Sequence, residues 1–261
     1  KAEALHPIAQ NLSRFNYRFD MSGSAEDQFR RKVLSVIDLL RGLGPRGLEP
    51  SLLEELIATL KSDYGKTKDA TALHAALQSA AQNMLDAFPS DVSEHLKAQG
   101  PKKKLREDHK LLKSAAQTDL LMTDWGAWQN LRTLFVSNRN SKTPEAYDAQ
   151  AEAVMAAADG LEHHPGPLAD AIEHITALVR GAQQILTAYD KEKRQRGLID
   201  YADMIVRTEE ILRESPETLK AVLGEIDCVV IDEFQDTNPV QFALLWRLAK
   251  HAPKALIVGD R

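Results

Sequence analysis

The chain has a single cysteine, Cys228, so no internal disulfide can form. One lone thiol suits a reducing compartment, and the expectation is a cytoplasmic protein. No apolar run approaches the roughly 18 residues that a membrane-spanning helix needs, so no membrane partner is expected, and the first residues do not read as a secretory leader. Positive charge is also scarce. Lys and Arg total 33 against 38 Asp and Glu, a formal net charge of −5. That balance excludes a simple basic nucleic-acid module, and any DNA contact has to come from local patches. No internal repeat of fixed period occurs. His163 and His164 precede a Pro-Gly-Pro turn without a cysteine or third ligand at metal spacing, which argues against zinc.

What remains is an ordinary folded composition, 43% hydrophobic and 27% charged. The 261 residues suffice for a sizeable core in one or two domains. The chain begins at Lys1 without Met and stops at Arg261, directly after the apolar run "ALIVGD". The expectation is a piece of a longer polypeptide.

From about residue 24 to 224 the pattern is helical. In "SAEDQFRRKVLSVIDLLRGLGP", Ser24 and Asp27 have capping-box spacing. Phe29, Val33, Ile37 and Leu40 recur at helical intervals. Gly42, Gly44 and Pro45 stop the helix. Further helices are expected over 51–62, 68–88, 103–137 with breaks, 144–159, 167–195, 201–214 and 216–223, mostly packing on one another. Trp125 and Trp128, three apart on an apolar-rich helix, are expected in a core rather than stacked on a nucleic base. Two basic clusters stand out, "KKKLREDHK" (102–110) and "KEKRQRG" (191–197). Interspersed Glu107, Asp108 and Glu192 favour solvated helix faces there over contact with DNA phosphates.

The last stretch reads differently. "IDCVVI" (226–231) is short, apolar and β-branched, as in a strand buried on both faces, with Cys228 an inert core residue. "ALIV" (255–258) is a second such run. Between them "TNPVQFALLWRLAKHAP" reads as a helix capped by Thr237 or Asn238, with Pro239 in its first turn. Phe242, Leu245, Leu248 and Ala249 give its expected buried face, and Pro253 ends it. Strand, helix, strand implies a parallel βαβ unit. The fold class expected is therefore mainly α with a small α/β part.

Two acids, Asp232 and Glu233, follow the first strand directly, and Asp260 ends the second in the same way. Ligands of open parallel sheets bind beyond the carboxyl ends of the strands. An Asp there can hold Mg²⁺ that bridges nucleotide phosphates, while a neighbouring Glu orients or deprotonates a water. An apolar run ending in an acid also arises from turns and helix caps. The longer string decides between them. "VVIDEFQDTNPVQ" resembles motif II of the UvrD/Rep-like and RecB-like superfamily 1 DNA helicases, "LIVGDR" the opening of their motif III, and "GLIDYADMI" (197–205) the acidic-aromatic helix by which that family re-enters its first ATPase domain. "FRRKVLSVIDLLRGLG" and "LTAYDKEKRQRGLIDYADMI" resemble RecB- or AddA-type enzymes more than the smaller helicases.

The resemblance implies a helical insertion domain of 1B type over 1–196. It is joined to the C-terminal portion of a RecA-like P-loop NTPase domain, 1A, over 197–261, carrying motif II and the start of motif III. It implies ATP and Mg²⁺ as cofactors, Glu233 as catalytic base, Asp232 as the Mg²⁺-linked acid, and Gln235, Asp236 and Asp260 at the nucleotide-site edge. Capping of the next helix by Asp236 or Thr237 is compatible with that. Asp200 is expected instead as the N-cap of helix 201–214. The implied partners are single-stranded and duplex DNA, with subunits of a helicase–nuclease complex as further candidates. The implied activity is ATP-driven 3′-to-5′ translocation in repair or recombination. One required element is missing: "GKT" (65–67) would put the first glycine of a phosphate loop on Leu60, after a helical rather than a strand pattern. Gly65-Lys66-Thr67 is expected as a loop between helices, with the real phosphate loop upstream of Lys1, and the chain alone is expected to be inactive as an ATPase. Two alternatives stay open: a non-helicase P-loop ATPase, and a non-catalytic DNA- or protein-interaction module with an ATPase remnant.

Overall fold

Ser24 starts the first long helix of the computed structural model as its spacing predicts, its hydroxyl accepting from the Asp27 amide at 3.1 Å. The structure describes residues 2–260 apart from 22, 96–98 and 118. In chain order the helices are α1 (His6–Gln10), α2 (Ala25–Gly42), α3 (Pro50–Tyr64), α4 (Ala70–Ala87), α5 (Gln99–Gln117), α6 (Leu120–Thr123), α7 (Trp125–Leu131), α8 (Tyr147–Ala158) and α9 (Pro165–Arg196). They continue with α10 (Tyr201–Glu214), α11 (Pro216–Gly224) and, between strands β1 (Val229–Ile231) and β2 (Ala255–Ile257), α12 (Pro239–His251). The expected mainly α fold with a small parallel sheet is what forms. No helix among the described residues is long and apolar enough to cross a membrane.

The chain divides into two compact units, one of residues 1–59 and 173–261, the other of residues 60–172. In the second, α4 packs on α5 and α8. Its core gathers Leu77, Met84, Leu105, Leu112, Leu121, Trp128, Leu131 and Val154, all essentially solvent-free. Trp128 lies fully inside and donates from Nε1 to the Leu121 carbonyl at 2.8 Å, while half-buried Trp125 donates to Asp170 at 2.9 Å. Both tryptophans are packing residues, as expected. His164 packs against both with its ring tilted to each, centroids 4.9 and 5.3 Å away. Among the described residues no group of three or more His, Cys, Asp and Glu side chains is placed to hold a metal. Gly65-Lys66-Thr67 is a loop between α3 and α4, with Gly65 at φ +79°.

In the first unit, Ile8, Phe29, Val33, Ala177 and Leu178 form one cluster, and Leu40, Leu52, Ala182 and Leu186 another. Asp200 caps α10 through a capping box with Asp203. It also anchors an ionic cluster. Arg41 of α2 reaches Asp200 at 2.5 Å, and Lys193 of α9 reaches Asp190, Asp200 and Asp203 at 3.1, 3.1 and 2.7 Å. Burial alone would raise the Asp200 carboxyl. The Asp203 amide, the Lys193 ammonium and Arg41 outweigh it and hold the group at about 2. Burial opposes the charge on Lys193, but the Asp203, Asp200 and Asp190 carboxylates outweigh it and raise the ammonium. A carboxyl depressed on folding stabilises the fold above its ordinary value of 3.8, and that contribution is lost as pH falls towards 2. Lys193→Met leaves three carboxylates facing one another. We expect it to cost about 2–3 kcal/mol near neutral pH and to raise the midpoint of acid unfolding, read by circular dichroism.

The sheet is smaller and barer than its sequence implies. β1 and β2 pair in parallel, Val229 with Ala255, Val230 with Leu256 and Ile231 with Ile257. Only Ile231 is buried, and β2 is exposed throughout. The expectation of strands covered on both faces is not met, because the sheet has two strands and α12 is the helix packed against it. Cys228 is accordingly exposed rather than an inert core thiol. Of the predicted buried face of α12, Ala249 is buried and Leu245 and Leu248 are half-buried. Phe242 is 39% exposed and stacks on Trp246 instead. Val240 takes the place expected of Phe242.

Candidate functional site

The parallel βαβ unit brings the acids of the two strand-end strings, Asp232, Glu233, Asp236 and Asp260, to one edge. β1 ends at Ile231, and Asp232 and Glu233 follow immediately, both exposed. Ladder bonds carry the pairing past the strands: the Val258 amide donates to the Ile231 carbonyl at 2.8 Å, and the Phe234 amide to the Val258 carbonyl at 3.0 Å. The second of these bonds holds the turn after β1 against the end of β2. Asp260 therefore comes to the same edge.

The turn itself is unusual. Glu233 sits at φ 52°, ψ 44°, in the left-handed region that a side chain other than Asn, Asp or Gly seldom adopts. Asp232 supports it by accepting from the Glu233 amide at 3.0 Å. A short 3₁₀ turn, Phe234–Asp236, follows, closed by the Asp236 amide on the Glu233 carbonyl at 2.9 Å. The consequence is directional. A left-handed residue straight after a strand turns the chain out of strand geometry, so the Glu233 side chain does not follow the alternation of β1.

Gln235 joins the acids to the second strand. Its Nε2 donates to Glu233 Oε2, and its Oε1 accepts from the Asp260 amide at 3.0 Å. Gly259 makes room for this. A Cβ there would lie 2.7 Å from Gln235 Oε1 and 3.1 Å from Phe234 Cβ. Asp236 is exposed at the rim of the turn. Neither it nor Thr237 caps α12. Thr237 turns back to donate to the Phe234 carbonyl at 2.8 Å, and Asn238 caps the helix in a capping box with Gln241. Asn238 is one of the two caps expected. The capping role considered for Asp236 and Thr237 is thereby replaced.

Three features of this edge are not readable from the sequence: the left-handed Glu233, the double engagement of Gln235 and the ion pair behind them. In that pair Arg247 of α12 meets Glu209 of α10 at 2.8 Å, with Glu209 only 5% exposed. It fixes the helix that backs the sheet. The one available signal is Gly259 beside Asp260, since glycine at a strand end often marks close backbone approach. The basic clusters are largely spoken for within the chain. Lys103, Lys104 and Arg106 pair with Glu107, Asp108 and Asp91, while Lys193 and Arg196 pair with neighbouring acids.

Residues 43–261 match the UvrD/REP helicase N-terminal domain, and the chain belongs to that family. It is similar to DNA helicase II of Escherichia coli K12, 35% identical over 78 residues, 30% of this chain and 11% of that protein. It is likewise similar to the RecBCD enzyme subunit RecB of the same strain, 35% identical over 107 residues, 36% of this chain and 9% of that protein. The ATP-dependent DNA helicase PcrA of Leuconostoc citreum is 29% identical over 77 residues, 30% of this chain and 10% of that protein. The matched stretches are thus about a tenth of these relatives' length.

Proposed function

We propose that this chain is part of an ATP-dependent DNA helicase or translocase of RecB/AddA type, moving 3′-to-5′ on single-stranded DNA and acting in repair or recombination. The observation that carries the proposal is the pair of exposed carboxylates, Asp232 and the left-handed Glu233, at the carboxyl edge of a parallel βαβ unit. In this reading residues 1–196 are the 1B-like insertion, and residues 197–261 are the C-terminal part of a RecA-like domain.

The acids at this edge fit a nucleotide-bound Mg²⁺ better than a dedicated protein cage. Mg²⁺ prefers oxygen donors and is usually held by one or two carboxylates together with substrate phosphates and water. Asp232 offers such a carboxylate, and the described residues contain no group of three or more ligating side chains that would make a cage. Asp232 is the residue that would hold the ion, whose chemistry there would be to neutralise phosphate charge. Glu233 takes the proton of the attacking water onto a carboxylate oxygen. Asp236 and Asp260 line the same edge and complete its negative rim.

The test uses the full-length polypeptide that contains this chain. Its ATP hydrolysis should depend on Mg²⁺ and rise with single-stranded DNA. The 261-residue chain on its own, which carries no glycine-rich phosphate loop, should show no turnover above background. Absence of DNA-stimulated turnover in the folded full-length protein would reject the motor reading.

A further inference from the structure

We infer that Gln235 is a positioning residue, one that holds the Glu233 carboxylate and ties it to the end of the second strand, rather than a direct contact to nucleotide. The inference rests on the proposed role of Glu233.

The geometry assigns both ends of the Gln235 amide. The NH₂ donates to Glu233 Oε2, and the oxygen accepts from the Asp260 amide. A flipped amide would set oxygen against carboxylate and NH₂ against N–H, so only one orientation satisfies both neighbours. A glutamate with a free side chain on an exposed turn samples several rotamers. One that accepts from a tethered amide is held in place, and a general base must be within hydrogen-bond reach of the proton it takes. The tether is the backbone of residue 260, one strand away. A displacement of the β2 end therefore reaches the carboxylate itself through the Gln235 side chain, beside the backbone bond from Phe234 to Val258 that holds the turn. Gly259 is the third part of this device. With any side chain there, the Gln235 oxygen would have to withdraw, since a Cβ would sit 2.7 Å from it.

Three variants separate the parts. Gln235→Ala removes both bonds. Gln235→Glu keeps an acceptor for the Asp260 amide but sets a like charge against Glu233. Gly259→Ala displaces the Gln235 side chain without altering it. In the full-length protein each should lower kcat for ATP hydrolysis about 30-fold, since a small misplacement of a reacting group costs up to about 100-fold, with KM for ATP within about twofold of wild type. In the same full-length protein, hydrogen exchange at the Asp260 amide should speed up about tenfold in Gln235→Ala and stay near wild type in Gln235→Glu. Equal melting temperatures confirm that the folds compare.

Wild-type kcat in Gln235→Ala, beside an inactive Glu233→Gln, overturns the inference and leaves the motor reading standing. A KM raised tenfold at unchanged kcat also overturns it, because Gln235 would then touch the nucleotide. Unchanged exchange at Asp260 in Gln235→Ala overturns the tether itself. An inactive wild type overturns the motor reading instead, and the exchange experiment still decides whether the tether exists.

Discussion

Glu233→Gln in the full-length protein should lower kcat for ATP hydrolysis by about 100- to 10,000-fold, the range that a positioned general base contributes. The substitution is conservative in shape. Glutamine at 233 keeps an oxygen to accept from Gln235 Nε2, and it meets the same left-handed backbone with the same Cβ. What it loses is the capacity to take a proton. Nucleotide affinity should therefore change little, and the variant should trap bound ATP. Single-turnover hydrolysis beside equilibrium nucleotide binding distinguishes this from a general loss of the site. Retention of more than a tenth of wild-type kcat would place the base elsewhere.

The second large effect is on stability and has nothing to do with the strand edge. Trp128→Ala should destabilise the unit of residues 60–172 by about 3–5 kcal/mol, as for other large aromatic truncations in cores. Trp128 is fully enclosed among Leu, Ala and Val side chains from several helices. Its indole N–H also satisfies the Leu121 carbonyl, which would lose that donor. For a unit of this size the melting temperature should fall by roughly 15 °C or more. The competing idea, that this tryptophan stacks on a nucleic base, makes the opposite forecast. A base-stacking tryptophan would change its fluorescence with single-stranded DNA and would cost little stability when truncated. We expect a buried emission spectrum for Trp128 that does not respond to DNA.

The helices are legible in the sequence because their signals are local. Ser24, Asp200 and Asn238 each stand where a side-chain oxygen can cap the following turn, and each does so. Periodicity likewise places Phe29, Val33 and Leu40 inwards. The strands are legible as strands but not in their burial. Apolar composition says that a segment suits a covered position, whereas cover depends on what other elements lie against it. Cys228 and Phe242 depart from expectation for that reason. At the site, the string around Asp232 and Glu233 locates the edge from sequence alone. The sign of φ at Glu233 and the reach of Gln235 to residue 260 are not readable there. The first defies the intrinsic preference of glutamate, and the second depends on a pairing between segments 25 residues apart.

The left-handed turn at Glu233 also bears on how this protein would respond to engineering for robustness. Glycine or asparagine at 233 would relieve the backbone, a gain of order 1 kcal/mol, and a design procedure scoring foldability alone would choose one of them. Either choice would erase the carboxylate. On the role proposed for Glu233, the position is one where thermal hardiness and chemistry pull in opposite directions, and a screen for heat-resistant variants should accumulate inactive ones there first.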